Sequence, residues 1–379
     1  MTSPLYQTHS PLPSKPNPSS HIGLWFDRFF NQYESQWTLK NDSKNKNNDD
    51  NTAKLNWLKI IGNQKVGDLK AIENHSQRQQ QLVQNLAGRG ERYQAEWHFV
   101  TGMGNPHPIE NGFSWHPTLG VPYLNGAAVK GLIRAWVESR EEPLSDTEYQ
   151  QRLINWFGSA NSNDQNSQAG GLLFFDALPD QCPQLVIDIM TPHMGEWYSH
   201  GNEKPDLAKG NNIPADWHEP TPIPFLAVQQ LSLIFNIAPR TQQQADELDS
   251  VFKALDQALT WLGAGAKTSS GYGYFKCDPA YGQQQAKAAE KQRQAQTLSK
   301  LSPAQQDIEK LRQEFQQSNL NSERMGGDLY RQLKKTIDNA SDWSSEDKQS
   351  LKLLAQQIAE SIGAKDNKTA KKLIKTLDE

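Results

Sequence analysis

The fold is decided by the stretch LGAGAKTSSGYG, residues 262–273. Four glycines in it bracket five residues that carry one cation and three hydroxyl groups. Glycine reaches positive φ and lets another molecule approach the main chain, and successive N–H groups in such a turn form an anion-binding concavity, or nest. The chemistry predicts a site for a polyanion, most simply a nucleic-acid backbone. The candidate contacts are Gly263, Gly265, Lys267, Thr268, Ser269, Ser270, Gly271, Tyr272 and Gly273.

Two familiar phosphate loops are excluded by the spacing. A P-loop requires glycine directly before its lysine and again five residues earlier, where this chain has Ala266 and Trp261. The dinucleotide fingerprint opens a helix, whereas here a helical pattern precedes the loop and a strand-like run, residues 272–275, follows it. Tyr272 and Tyr274 would share one side of that strand, facing either a base or the core. The alternative that stays open is a helix C-cap that runs into a flexible hairpin.

The loop also matches a longer pattern: a hydrophobic residue, Gly-x-Gly, five residues that include a cation, and a second Gly-x-Gly. This pattern resembles the signature of the RAMP superfamily of CRISPR-associated proteins. A second stretch, GVPYLNGAAVKGLIR at residues 120–134, looks like that family's strand-to-helix junction, with alanines where family members usually have two serines. The resemblance implies RNA contacts from Asn125, Gly126, Lys130 and Arg134. Spacing alone leaves Lys130 and Arg134 as a solvated helix face.

Two histidine- and proline-rich runs indicate one particular family within this superfamily. Residues 101–117 and 188–225 are similar to the sixth-subunit family of the type III-B, or Cmr, effector complex, and the likeness spans residues 92–278. It implies a non-catalytic subunit that holds the 3′ part of the guide RNA and the guide–target duplex in antiviral defence, with His116 and His193 among its RNA contacts. The implied protein partners are the backbone RAMP subunit, the small helical subunit and the large RAMP subunit at the head of the complex.

The order of elements predicts an α+β fold. Residues 92–278 follow the order strand, helix, hairpin, strand, helix, strand, which together with the resemblance implies a ferredoxin-like (RRM-like) RAMP core. The first strand is expected at 92–101, and 171–178 is expected to pair with 185–190 as a hairpin. Residues 1–91 are expected to be an N-terminal insertion, partly helical with a disordered Asn/Asp/Lys tract. Residues 279–379 are expected to be a helical extension with helices at 303–317, 328–337, 345–361 and 368–377.

The charge is unevenly distributed. The net charge of −4 is the balance of +3 in residues 1–91, −10 in residues 92–278 and +3 in residues 283–379. An acidic centre excludes a broad basic surface for RNA, so Lys130, Arg134 and Lys267 would line a narrow track. No apolar run approaches the roughly 18 residues of a membrane helix and no signal pattern opens the chain, so we expect a cytoplasmic protein with no membrane partner. Two widely separated cysteines are expected as reduced thiols.

Nine histidines leave a ribonuclease open. Metal-independent RNA cleavage requires an acid and a base that titrate near neutrality, a role that histidine fills. The candidates are His107, His116, His193 and His218. The resemblance points away from catalysis, since cleavage in that complex is attributed to the backbone subunit. Short metal-ligand spacings are absent, so we expect no metal and no cofactor. A non-catalytic RNA-binding subunit is favoured over a metal-independent RAMP endoribonuclease and over a purely structural bridge between subunits.

Overall fold

The computed structural model describes residues 15–17, 20–33, 39, 51–140, 142–159, 167–201, 213–215, 217, 220, 222–284, 301–317, 326–364 and 367–378. Apart from its last residue, the predicted Asn/Asp/Lys tract at 41–51 lies outside them. The chain forms two compact units, Met1–Gly282 and Gln283–Glu379. Within the described part of the chain, every helix is too short or too polar to cross a membrane.

The described residues of the first unit form both α-helices and β-strands, and a further helical run occupies residues 279–284 at its end. The helices are α1 Ile22–Arg28, α2 Asn51–Ile61, α3 Leu69–Asn85, α4 Gly126–Glu138, α5 Asp146–Phe157, α6 Gly195–His200 and α7 Leu248–Trp261. The strands are β1 Arg89–Ala95, β2 Leu172–Phe174, β3 Leu178–Pro179, β4 Gln184–Met190, β5 Ile223–Gln229, β6 Ser232–Pro239 and β7 Phe275–Cys277. The unit is therefore mixed α/β, in agreement with the predicted class.

The strands form two antiparallel sheets. The larger sheet has the order β2-β6-β1-β7, with β3 also paired to β6, and places Ala95 opposite Phe275. The smaller sheet pairs β4 with β5 and places Asp188 opposite Phe225. The predicted hairpin between 171–178 and 185–190 is wrong. Its first half forms only the short strands β2 and β3 on β6, whereas the seven-residue strand β4 finds a partner of equal length in β5.

The first strand ends earlier than predicted. β1 stops at Ala95, so residues 96–101 of the expected strand leave the larger sheet. The isolated pairing of Phe99 with Val228 then carries the chain to the smaller sheet. Trp97, at the start of this crossing, has 59% of its surface exposed. The chain between β1 and this crossing therefore bridges the two sheets.

The described N-terminal helices pack into the same hydrophobic cluster as the sheet. Trp25 of α1 stacks on Trp57 of α2 with ring centroids 3.9 Å apart. Helices α4 and α7 pack against each other, because each buries one face: Val129 and Ile133 from α4, and Leu255 from α7. Ser145 forms a capping box at the start of α5.

The second unit is helical and has its own apolar core. The predicted helices appear as α8 Pro303–Gln317, α9 Asp328–Asp338, α10 Ser345–Ser361 and α11 Lys368–Lys375. Ser344 caps α10 by accepting a hydrogen bond from the Asp347 N–H group. Leu333 and Leu351 are buried at the centre of this helical cluster. Helical period and cap chemistry were sufficient to place these elements from the sequence.

The glycine loop between α7 and β7 is folded tightly on the rest of its unit. A Cβ atom at Gly265 would overlap the carbonyl oxygen of Val100, and a Cβ atom at Gly273 would overlap that of Ala264. Gly273 also has a φ of +73°. The glycines at these two positions are therefore required by close packing of main chain on main chain.

This packing predicts different costs for two alanine substitutions. Gly273→Ala combines the strain of positive φ with a main-chain overlap and should lower the free energy of unfolding by more than about 3 kcal/mol. Gly271→Ala is the matched control, since its φ is +89° but a Cβ atom there meets nothing within 4 Å. It should cost only the strain, about 1–2 kcal/mol.

Urea unfolding followed by tryptophan fluorescence measures this difference. Ten of the eleven tryptophans lie in residues 1–282, so the signal reports the first unit. Equal costs for the two substitutions would contradict the packing described here.

Candidate functional site

The glycine loop runs beside the segment that follows β1. The Gly273 N–H group donates to the carbonyl of His98 at 2.9 Å, and the Glu96 N–H group donates to that of Tyr274 at 2.9 Å. On the far side of the loop, the Ala266 N–H group donates to the carbonyl of Val100 at 2.8 Å. These bonds fix residues 96–100 alongside the loop.

Several N–H groups of the loop donate hydrogen bonds within the protein, so fewer of them remain to form the predicted anion-binding nest. Those of Ser270 and Tyr272 donate to the carbonyl of Lys267, which has left-handed backbone angles, φ 60° and ψ 29°. No described residue accepts a hydrogen bond from the N–H groups of Lys267, Thr268 and Ser269. Together with the hydroxyls of Thr268, Ser269 and Ser270, these three groups form the donor-rich tip of the loop.

The charge at this tip is not neutralised. The Lys267 ammonium lies 5.3 Å from the ring centroid of Phe225 in a cation–π contact. Among the described residues, no carboxylate lies within ion-pair distance of it. A cation beside free donors attracts anions, so the tip presents the chemistry that the sequence predicted for it.

A carboxylate on β4 ties the loop to its surroundings. Asp188 Oδ2 accepts a hydrogen bond from the Tyr272 hydroxyl at 2.6 Å and lies 3.2 Å from His98 Nδ1. Its Oδ1 accepts from the Ile189 N–H group at 2.8 Å. Burial acts to raise the pKa of Asp188, but these hydrogen bonds outweigh it and lower the pKa. Burial and the neighbouring carboxylate both raise the pKa of Tyr272, which keeps its hydroxyl a donor.

Trp97 completes this cluster at the surface. Its ring stacks on His98 with centroids 4.5 Å apart and an interplanar angle of 21°. We name the set Trp97, His98, Asp188, Phe225, Lys267 and Tyr272 the loop cluster. The sequence identified only Lys267 and Tyr272 as contacts. The alternating pattern of 92–101 obscured Trp97 and His98, because it placed them inside a regular strand.

The helix junction is arranged differently. Asn125 caps α4 through its side-chain oxygen, and the Gly126 N–H group donates to Asp176 Oδ1 at 2.7 Å. The Lys130 ammonium donates to the carbonyl of Phe157 at 2.9 Å, and Arg134 forms an ion pair with Glu138 at 2.7 Å. Their polar groups are therefore used within the protein. No hydrogen bond between described residues joins this junction to the loop cluster, so the RNA contacts expected from it stay predictions.

His107 and His116, from the predicted loops, form hydrogen bonds with different parts of the main chain. His116 is only 6% exposed, its Nδ1 accepts a hydrogen bond from the Leu119 N–H group, and burial lowers its pKa. The RNA contact expected from His116 stays a prediction. His107 Nε2 lies 3.0 Å from the carbonyl of Phe26, and burial lowers its pKa also. His193 is exposed, while His218 lies outside the described residues. In the described parts of the chain, no group of three or more ligating side chains is placed to hold a metal ion.

Comparison with known proteins gives a family match over the core. Residues 92–276 match the RAMP superfamily. The CRISPR system Cmr subunit Cmr6 of Pyrococcus furiosus is 26% identical over 232 residues, which is 48% of this chain and 66% of the relative, slightly less than two thirds of its length.

Two solved structures are also similar. A chain of the type III-B Cmr-beta complex bound to cognate target RNA is 20% identical, with 60% of this chain and 72% of that chain covered and a TM-score of 0.46. Cmr6 from Pyrococcus furiosus is 22% identical, with 50% and 97% covered and a TM-score of 0.29. Both TM-scores are below 0.5, so these two likenesses carry no weight for function.

The hydrogen bonds of Asp188 predict an acid-dependent stability. Because its folded-state pKa is lower than the ordinary value of 3.8, its stabilising contribution is complete above that value and is lost as the pH falls through the folded-state pKa. Asp188→Asn should therefore destabilise the first unit near neutral pH, and the gap to wild type should narrow below about pH 4.

The exposed residue Asp246 provides the matched control, Asp246→Asn. Urea unfolding at a series of pH values measures both variants. A gap between wild type and Asp188→Asn that is constant from neutral to acid pH would contradict the network, as would an equal gap for the control.

Proposed function

We propose, from the premise that residues 92–276 belong to the RAMP superfamily, that this protein is a non-catalytic RNA-binding subunit of a type III-B CRISPR effector complex. The observation that carries the proposal is the tip of the glycine loop. It places the Lys267 ammonium, without an acidic partner among the described residues, next to free N–H groups and hydroxyls. In a core with a net charge of −10, such a concentrated donor site is suited to the RNA backbone.

The substrate that fits this site is RNA held by its phosphates and riboses. In a guide-directed complex the base pairing supplies sequence specificity, so the protein has to recognise shape and backbone. We therefore assign to the loop the 3′ part of the guide RNA and the guide–target duplex. Cmr6, the curated relative, is by name a subunit of a CRISPR system, which supports a role within an assembly.

The strand order supports a ferredoxin-like core. Helix α4 lies between β1 and β2 in the chain, and α7 lies between β6 and β7. Taking β1, β2, β6 and β7 as its four strands gives a β-α-β-β-α-β unit in one antiparallel sheet. In this proposal the sheet of β4 and β5, together with α5, is inserted into that unit, and the segments outside residues 92–278 are an N-terminal insertion and a C-terminal extension.

The proposed protein partners follow from the same assignment. They are the backbone RAMP subunit, the small helical subunit and the large RAMP subunit at the head of the complex, in the cytoplasm. The acidic surface of residues 92–278 is suited to basic faces on such neighbours. A purely structural bridge between subunits is the competing proposal, and it would leave Lys267 without a role in RNA binding.

A second candidate function has one observation in its favour. His98 Nδ1 lies 3.2 Å from Asp188, and such a pair can orient an imidazole for acid–base catalysis beside an RNA backbone. Cleavage also requires a group that protonates the leaving oxygen. The Tyr272 hydroxyl already donates a hydrogen bond to Asp188, so its proton is not directed at a leaving oxygen. We therefore keep the metal-independent endoribonuclease as the alternative.

Removal of the loop cation tests the proposed function. Lys267→Ala should weaken RNA retention by the reconstituted complex, and the slope of log affinity against log salt should become shallower by about 0.7. Lys253→Ala, an exposed lysine on α7, is the matched control and should leave both quantities unchanged. Retention by Lys267→Ala equal to wild type, with the fold intact by circular dichroism, would count against RNA binding at the loop.

A cleavage assay separates the two candidate functions. The purified chain should leave single-stranded RNA uncut with or without divalent metal, because the proposed role of the loop is to hold the RNA backbone. Gel analysis of labelled RNA measures this. Cleavage that disappears in His98→Ala, His116→Ala or His193→Ala would establish the endoribonuclease instead.

A further inference from the structure

We propose that Trp97 is a stacking platform for one unpaired nucleobase of an RNA strand whose backbone is held at the tip of the glycine loop by Lys267. This inference rests on the proposed RNA binding and defines its mode: the site takes a nucleotide with its base out of the duplex. It also adds an RNA contact outside the loop and the helix junction.

The first argument is the geometry of the ring. Trp97 has 59% of its surface exposed, although Phe99, two residues later in the chain, is buried. Its stack on His98, with centroids 4.5 Å apart, covers one face of the indole. The exposed fraction leaves the other face as a flat apolar surface for a ligand. Tryptophan in this arrangement offers a large stacking area, and every base has a π-face to place on it.

The second argument is the rigidity of the ring's support. Hydrogen bonds to the loop flank Trp97 on both sides, from the Glu96 N–H group to Tyr274 and from Gly273 to the carbonyl of His98. The His98 ring is held in turn by Asp188, which also holds Tyr272. A ring fixed in this way loses little conformational entropy when a ligand binds. The platform and the loop tip are thus joined by one hydrogen-bond network.

The third argument concerns the occupant. An apolar protein side chain would use the Trp97 ring but not the cation, N–H groups and hydroxyls of the loop tip. An RNA strand can use both, because it carries flat bases along an anionic backbone. The base has to be unpaired, since a base inside a duplex has both faces covered by its neighbours. The chemistry therefore favours single-stranded RNA over a peptide.

The platform should be tolerant of sequence. Reading a base edge requires free donors or acceptors beside the ring, and the carboxylate that holds His98 is already used. Asp188 accepts from Tyr272 and from the Ile189 N–H group, and His98 Nδ1 is directed at the same carboxylate. Differences in stacking area should then make purines bind more tightly than pyrimidines.

The test compares two single-stranded RNA probes on the full-length chain by fluorescence anisotropy. One probe is oligoadenylate, and the other has the same number of phosphates on riboses that lack bases. Trp97→Ala should weaken binding of oligoadenylate by about fivefold to a hundredfold and leave the abasic probe unaffected. Trp97→Phe, which keeps a flat ring, should recover part of the loss.

Trp261→Ala is the matched control. Trp261 is 66% exposed, but its Nε1 donates to Gln257 one turn back on α7, so the ring lies along the helix. This substitution should change neither affinity. Lys267→Ala should weaken both probes, because both carry phosphates.

The outcomes distinguish the inference from the function on which it rests. If neither probe depends on Lys267, the proposed RNA binding itself fails. If Lys267→Ala weakens both probes while Trp97→Ala changes neither, or weakens both equally, RNA binding stands and the stacking platform is overturned. An equal loss of oligoadenylate binding in Trp97→Ala and Trp261→Ala would also overturn it, because it would show a general effect of removing surface tryptophans.

Discussion

The site depends on one carboxylate that holds three separate parts of the chain together. Asp188, on the smaller sheet, accepts a hydrogen bond from the hydroxyl of Tyr272 in the glycine loop. It also contacts His98 in the segment after β1. Hydrogen bonds to an ionised acceptor are roughly twice as strong as those between neutral groups. Because His98 supports Trp97 and the main chain of Tyr272 bonds to that of Lys267, this carboxylate sets the positions of both the exposed ring and the free cation.

The main role of the loop glycines is structural. Gly265 and Gly273 are needed because main chain packs on main chain at those two positions, which leaves most N–H groups of the loop bonded within the protein. The donors that remain are at the tip, around Lys267. Hydrogen bonds at both ends restrict the loop, which would reduce the entropy cost of the proposed binding to an RNA backbone. Under that proposal, close packing and binding are two results of the same sequence pattern.

Features of the structure that depend on residues close together in the chain could be predicted from the sequence. Helical period identified α10, and the spacing of glycines identified the loop and its cation. Strand pairing was not accessible in this way, because β4 pairs with a strand more than thirty residues later rather than with the adjacent run. The role of Asp188 could not be predicted for the same reason, since its partners Tyr272 and His98 are 84 and 90 residues away in the chain.

The central claim is that the tip of the glycine loop touches RNA in the assembled complex. Ultraviolet crosslinking of the complex carrying its guide, followed by mass spectrometry of the peptides, tests this most directly. We expect RNA adducts on the peptide that spans residues 268–276 and on the one that contains Trp97. Adducts confined to other parts of the chain, with these two peptides recovered unmodified, would contradict the account.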